Sequence, residues 1–426
     1  MPPASPPYGG TVSLLWGERD TAGTGKGRAM KGNSIGTRVV AIRSRRRMSQ
    51  RDLAGAAGVS VDTIRKLEQG QRHSARLETL TQLAHALDVA VTDLVGKPRG
   101  LAFGAEDSEL LHLRRAVLGV APIEGPVVRA DQLRKELAEL WRWYWTGNYP
   151  VLARELPGRI TAARVAVSSS TAKGRPIACT VLAELLQVTA SLLAHLAHED
   201  LAHLALHNAS RAAESAGDEL LHASQQATRS WILSRQGLWS EAEHVAASTA
   251  GQVEPVLSRA PAEHVAIWGE LLRYTAVALS RGGRHSEAAE VITLMSTAAV
   301  RLGEDRATRY SGVAFGPTVV AMRAVDAAIS AGKPRKAIQL AVWVEHPEHV
   351  PPAVHMRYLL NVAWAQAADW RSGEAVATLL RAERIAPEAL PHQSIARAIV
   401  DELLPRRRTQ RLPGLAPLAE RMQVPA

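Results

Sequence analysis

Apolar residues recur every three or four positions along most of the chain, a period that predicts helices and leaves little material for strands. Ile35, Val39 and Ile42 mark one face of a first helix. Two short helices follow between Gln50 and Gly70, in QRDLAGAAGVSVDTIRKLEQG. Ala54 is the small residue where the second helix must approach the third, and Ile64 and Leu67 share the inward face of the third. Ser49 with Asp52 spells a capping box, and Ser60 a second N-cap. Gly58 stands in the intervening turn, where positive φ is required, and Gly70 ends the third helix. Leu77, Leu80, Leu83, Ala84 and Leu87 form the face of a fourth helix, and VTDLVG predicts a short fifth.

Two helices joined by so short a turn make a helix-turn-helix. On these residues, the stretch from Ile35 to Val95 resembles the Cro and phage-repressor type of DNA-binding domain, the XRE family. The resemblance implies a partner, a double-stranded DNA operator, with the helix that begins at Val61 lying in its major groove. Val61, Asp62, Thr63, Arg65 and Lys66 point outward there, since Ile64 and Leu67 point in. By similarity to the phage repressors, Val61 meets a thymine methyl, Asp62 a cytosine amine and Lys66 a guanine O6 or N7. Gln50, Arg72 and His73 are expected beside the phosphate backbone.

The remaining residues repeat a turn. GLWSEAEHVA at Gly237, GRHSEAAEVI at Gly283 and GKPRKAIQLA at Gly332 each place an alanine five residues after the glycine, at Ala242, Ala288 and Ala337. GNYPVLAREL at Gly147 has the turn but Leu152 at the small position, and ADWRSGEAVATLL has the alanine with one extra turn residue expected near Trp370. This resembles the tetratricopeptide turn, in units longer than that family's 34 or so residues, although a plain helical bundle spaces glycines similarly. In tetratricopeptide-like domains the first helix of each pair lines a concave face. Counting back from each turn puts Arg273, Tyr274, Met322, Arg323, Asp326, Arg357, Tyr358 and Asn361 there. Arg, Tyr and Asn together suit a short peptide or an acidic small molecule, while Tyr274 and Tyr358 serve equally as packing residues.

WRWYWTGNY, RYSGVAFGPTVV and RYLLNVAWAQAADWRSGEAVATLLRAERIAPE further resemble segments of large XRE regulators of high-GC Gram-positive bacteria. That likeness implies a sequence-specific transcription regulator, a homodimer whose helical-repeat half senses a peptide or small-molecule effector or a partner protein. The alternative is an adaptor anchored on DNA that recruits a partner through its solenoid.

The fold expected is thus all-α, a five-helix Cro/repressor-type domain followed by a tetratricopeptide-like α-solenoid. The boundaries expected are a disordered extension over 1–33, the DNA-binding domain over 34–97 and a linker over 98–130. The helical-repeat domain follows over 131–404, with a basic, solvated tail over 405–426. Met30, immediately before the first helix, is a second candidate start. An aromatic content of 4% in 426 residues supports the helical reading. The net charge of +10 is concentrated. Between Ile35 and Arg76, ten basic residues (Arg38, Arg43, Arg45, Arg46, Arg47, Arg51, Arg65, Lys66, Arg72, Arg76) face three acidic ones (Asp52, Asp62, Glu68), the footprint of a phosphate-binding surface.

Phosphate-loop, nucleophile-elbow and paired-cysteine patterns are missing from the sequence, so no catalytic residue, cofactor or metal is assigned. His195 with His198, and His203 with His207, have the spacing of zinc pairs but lack a cysteine or carboxylate constellation, and are read as helix-surface histidines. The single cysteine, Cys179, lies in an apolar run and is read as a buried thiol in a reducing compartment. Val181 to Leu206 is interrupted by Glu184, Gln187, Glu199 and Asp200, which argues against a membrane span and for a cytoplasmic protein.

Overall fold

The computed structural model describes residues 35–70, 77–87, 89, 94, 108–120, 128–196, 198–387, 389–408 and 410–424. Almost all of them are helical, and one two-residue antiparallel ladder, Arg306–Ala307 with Ala314–Phe315, supplies the strands. The first four helices are α1 (Ile35–Arg45), α2 (Gln50–Ala57), α3 (Val61–Glu68) and α4 (Leu77–Ala86). Val39, Leu53, Ala54, Ala57, Ile64, Leu67, Leu80, Leu83, Ala84 and Leu87 make one core there, joined by Leu94. The rest of the expected fifth helix lies outside the described residues, as do the extension over 1–33, Arg72 and His73.

Helices then alternate between two rows. The inner row holds α6 (Ala130–Thr146), α8 (Arg175–His195), α10 (Glu219–Arg235), α12 (Ala262–Arg281), α14 (Pro317–Ser330), α16 (Pro352–Ala368) and α18 (Ser394–Leu403). The outer row holds α7 (Tyr149–Ser169), α9 (Glu199–Ala216), α11 (Trp239–Gln252), α13 (His285–Leu302), α15 (Pro334–Ala341), α17 (Ser372–Ile385) and α19 (Leu415–Arg421). Each inner helix packs on its own outer partner and on the inner helices before and after it, which is the wiring of an α-solenoid. α6 also touches α16, and the Trp145 indole donates to the Ser311 carbonyl at 2.8 Å, so the row curls back upon itself.

The turn between inner and outer helix is built the same way repeatedly. At Gly237, φ is +81°, the Leu238 amide donates back to the Leu233 carbonyl, and Ala242 is fully buried where the next helix crosses. Ala288, Ala337 and Ala375 occupy the equivalent place, all buried. The extra residue expected near Trp370 is not there. Trp370 itself adopts the left-handed conformation, φ +64°, five residues before Ala375, and does the work of the glycine.

Two further expectations are corrected. Within the supposed linker, Ser108–Leu118 forms a helix, α5, that buries Leu113, Ala116 and Val117. Its last carbonyls are capped from afar: Arg164 donates to Ala116 and Val117 at 3.0 and 3.1 Å, and Asn208 to Val117 at 2.9 Å. The supposed tail is likewise packed. Leu415, Leu418 and Met422 are buried, and Arg406 lies over the Trp370 ring while pairing with Glu402 at 2.6 Å. Helix α8 is long and apolar enough to cross a membrane, but 94% of its most apolar window is buried inside the fold. Cys179 is buried in it, and burial pushes its thiol pKa up.

Candidate functional site

The recognition face is set by local chemistry. Ser49 accepts from the Asp52 amide and Asp52 from the Ser49 amide, closing the capping box that starts α2. Gly58 turns the chain at φ +64°, and Ser60 caps α3 through the Thr63 amide at 3.1 Å. With Ile64 and Leu67 fully inside, α3 presents Val61, Arg65 and Lys66 to solvent, with Asp62 and Thr63 half-exposed. Gly36 lets α1 cross beneath, since a Cβ there would lie 1.9 Å from the Leu67 carbonyl oxygen.

Asp62 is already paired, to Arg65 and to Lys66, each at 2.6 Å. Those cations hold its carboxyl below the usual range, the Lys66 hydrogen bond foremost. Exposed pairs of this kind are worth little, so a base or phosphate exchanges for either partner at small cost. Lys66 and Arg65 therefore stay available to nucleic acid.

Gln50 is held within the domain. Its amide nitrogen donates to Glu68 at 2.6 Å, and Arg43 holds the same carboxylate with two bonds, at 2.7 and 2.9 Å. In the DNA-free chain this donor helps to join α1, α2 and α3. Two of the ten basic residues are likewise structural, Arg43 in this clip and Arg38 donating to the Leu94 carbonyl at 3.2 Å. Arg46, Arg47, Arg51, Arg65 and Lys66 remain exposed.

The expected effector residues converge from three neighbouring inner helices, with one exception. Arg323 pairs with Asp326, and Asn361 donates to Asp326 at 3.3 Å. Asp326 also feels the charges of Arg281 and Arg357. Arg273 lies over the Tyr274 ring, with Glu270 at 3.7 Å. Tyr358 instead points toward the outer row, where its hydroxyl donates to the Ala341 carbonyl at 3.1 Å, and is a packing residue. Met322 is buried. Arg235 and Arg281, absent from the sequence-based set, join the group, since Arg357 feels both.

One member of each histidine pair is engaged by another side chain. His195 shares a hydrogen bond with Tyr144 at 3.1 Å and His203 one with Gln236 at 3.0 Å. His346, Glu348 and His349 lie close enough to share an ion, but all are exposed and the two rings stack on each other.

A family model described as a helix-turn-helix domain matches residues 34–95. No curated protein matches the chain. Among solved structures, the chain is similar to the apo form of ComR from S. thermophilus, at 13% identity and a TM-score of 0.23. That match covers 80% of this chain and 99% of that one. At that score the similarity carries no argument about function. Motif geometry and family model agree on one point: residues 34–95 form a helix-turn-helix domain.

Proposed function

We propose that this protein is a sequence-specific transcriptional regulator that binds an operator through α3 and senses a small effector through its tetratricopeptide-like inner helices. It acts as a cytoplasmic homodimer, its paired α3 helices reading half-sites one helical turn apart. The observation that carries the reading is α3 itself. A capped helix, locked on one side by Ile64 and Leu67, presents Val61, Asp62, Arg65 and Lys66 together on the other. Burial of Arg323 and Asn361 favours a small effector over a protein recruited to the same face, because a folded partner cannot reach them.

The test is binding of operator and scrambled duplexes, measured by fluorescence anisotropy across a salt series. Lys66→Ala is expected to cost about 1–3 kcal/mol on the operator and little on scrambled DNA. Arg72→Ala is expected to weaken both alike. Equal losses on both duplexes from Lys66→Ala would remove the assignment of base reading to α3.

A further inference from the structure

Four arginines lie on three successive inner helices, and a fifth, Arg235, ends the inner helix before them. Arg235 ends α10, Arg273 and Arg281 lie on α12, Arg323 on α14 and Arg357 on α16. Arg357 feels the charges of Arg235, Arg281 and Arg323, with Asp326 as the opposing neighbour, and Arg323 feels those of Arg273 and Arg281. The carboxylates that face the group are Asp326 and Glu270. Arg235 donates to the Ala194 carbonyl at 3.3 Å and lies over the Trp231 ring, so it is left out of the balance, and the other four cations against two anions leave an excess of positive charge. Burial also pushes Glu270 up to about 7, which weakens its share of the balance, and burial first, then the charge of Arg281, pushes Arg357 down to about 10.

The hydrogen-bond inventory points the same way. Arg323 is 6% exposed, yet its Nε and Nη2 have no partner among the described residues, and neither does the Nε of Arg273. A buried guanidinium with unused donors is costly unless something completes it. Guanidinium forks match carboxylate and phosphate oxygens in pairs. A peptide's single terminal carboxylate would leave part of the excess unmatched.

We infer that Arg273, Arg281, Arg323 and Arg357 form a binding site for a small molecule carrying two or more negative charges, as phosphate or carboxylate groups. The inference rests on the regulator reading above and names the chemistry of its effector. Asn361, which donates to Asp326 beside Arg323, supplies an uncharged donor at the same place.

The experiment uses the full chain and follows thermal melting and calorimetry with pyrophosphate, citrate, acetate and a short peptide with a free C-terminus, at constant ionic strength. Pyrophosphate or citrate is expected to raise the melting midpoint saturably, their relative effect separating phosphate from carboxylate recognition, while acetate does nothing. Arg323→Gln and Arg357→Gln should each weaken that binding about tenfold or more, the worth of one charged hydrogen bond. Arg335→Gln, on the exposed end of α15, should leave it intact.

A second readout needs no ligand. Because Arg357 is crowded by like charges, Arg357→Gln should melt higher than the parent when empty. A lower melting point for Arg357→Gln, or a shift with the peptide and with no polyanion, overturns the inference. Operator binding measured in parallel separates the two readings. Loss of the anion effect with DNA binding intact removes only this site, whereas saturable anion binding without DNA binding removes only the regulator.

Discussion

Replacing Arg43 with Met should unfasten α3, the helix proposed to read DNA, without touching any residue proposed to face it. Glu68, at the end of α3, is 6% exposed at its side chain and takes two bonds from Arg43 and one from Gln50. Arg43 also donates to the Met48 carbonyl at 2.8 Å, holding the turn between α1 and α2. The Glu68 hydrogen bond is the main reason the guanidinium pKa is raised. Arg43→Met leaves a buried carboxylate with one neutral donor, a loss of about 3–5 kcal/mol by comparison with other broken buried pairs. A domain of this size has roughly 3–9 kcal/mol of stability in all, so much of the folded population is lost. The assay is amide hydrogen exchange resolved by segment, with operator binding alongside. Exchange in α1–α3 should accelerate strongly while α8 and α12 stay protected. The double variant Arg43→Met/Glu68→Leu should recover a substantial part, since it removes the stranded charge as well. Parent-like protection in α3 of the single variant, or no recovery in the double, would refute the clip.

Two other predictions concern the solenoid. Gly269→Ala places a Cβ 2.1 Å from the Phe315 ring, itself fully buried, and should cost about 1–3 kcal/mol or more by thermal melting. Gly251→Ala, in the open within α11, should be neutral or stabilising, and equal effects at the two positions would contradict the packing. Glu184 in α8 is buried among groups that include Arg134, Arg309 and Asp218, and desolvation pushes its pKa up to about 8. The folded state keeps this proton where the unfolded chain releases it. The associated stability is thus full below the ordinary value of about 4.5 and lost as pH rises to about 8. Glu184→Gln should therefore gain on the parent through that window, by about 4 kcal/mol at its upper end in denaturant titrations. A difference that is the same at pH 5 and pH 8 would sink this assignment.

What the sequence made legible depended on how local the cause was. The capping box at Ser49, the turn at Gly58 and the inward pair Ile64 and Leu67 all act within one or two helical turns, and the structure repeats them. The bond from Gln50 to Glu68 was not legible, because Glu68 is supplied by another helix and fixed by a third. Arg273, Arg323 and Arg357 could be placed on the inner face by counting from a turn whose geometry sets the register. Tyr358 takes the packing alternative, since one residue rotates a helical position by about 100°. Helix α5 was hidden because its partners, Arg164 and Asn208, are far along the chain and its apolar stripe is only Leu113, Ala116 and Val117. Arg406 looked like a solvated tail residue until Trp370 and Glu402 came to meet it.

The positive charge of the chain thus divides into two populations with opposite surroundings. Arg46, Arg47, Arg51, Arg65 and Lys66 are exposed, so their attraction for a phosphate polymer is screened by salt and falls steeply as salt rises. The proposed anion site centres on Arg323, 6% exposed, where water and salt screen less and a small anion would restore the balance. Helix α16 carries Arg357 and Asn361, and α16 and α18 also touch α4 of the helix-turn-helix domain. On the proposal above, filling that site would change the forces on α16 directly, by neutralising charges on α12, α14 and α16. Coupling to DNA binding requires two arrangements of the α4 contact that differ in free energy between the empty and filled states. That contact, formed by the helix bearing Arg357, is where such a difference would be stored.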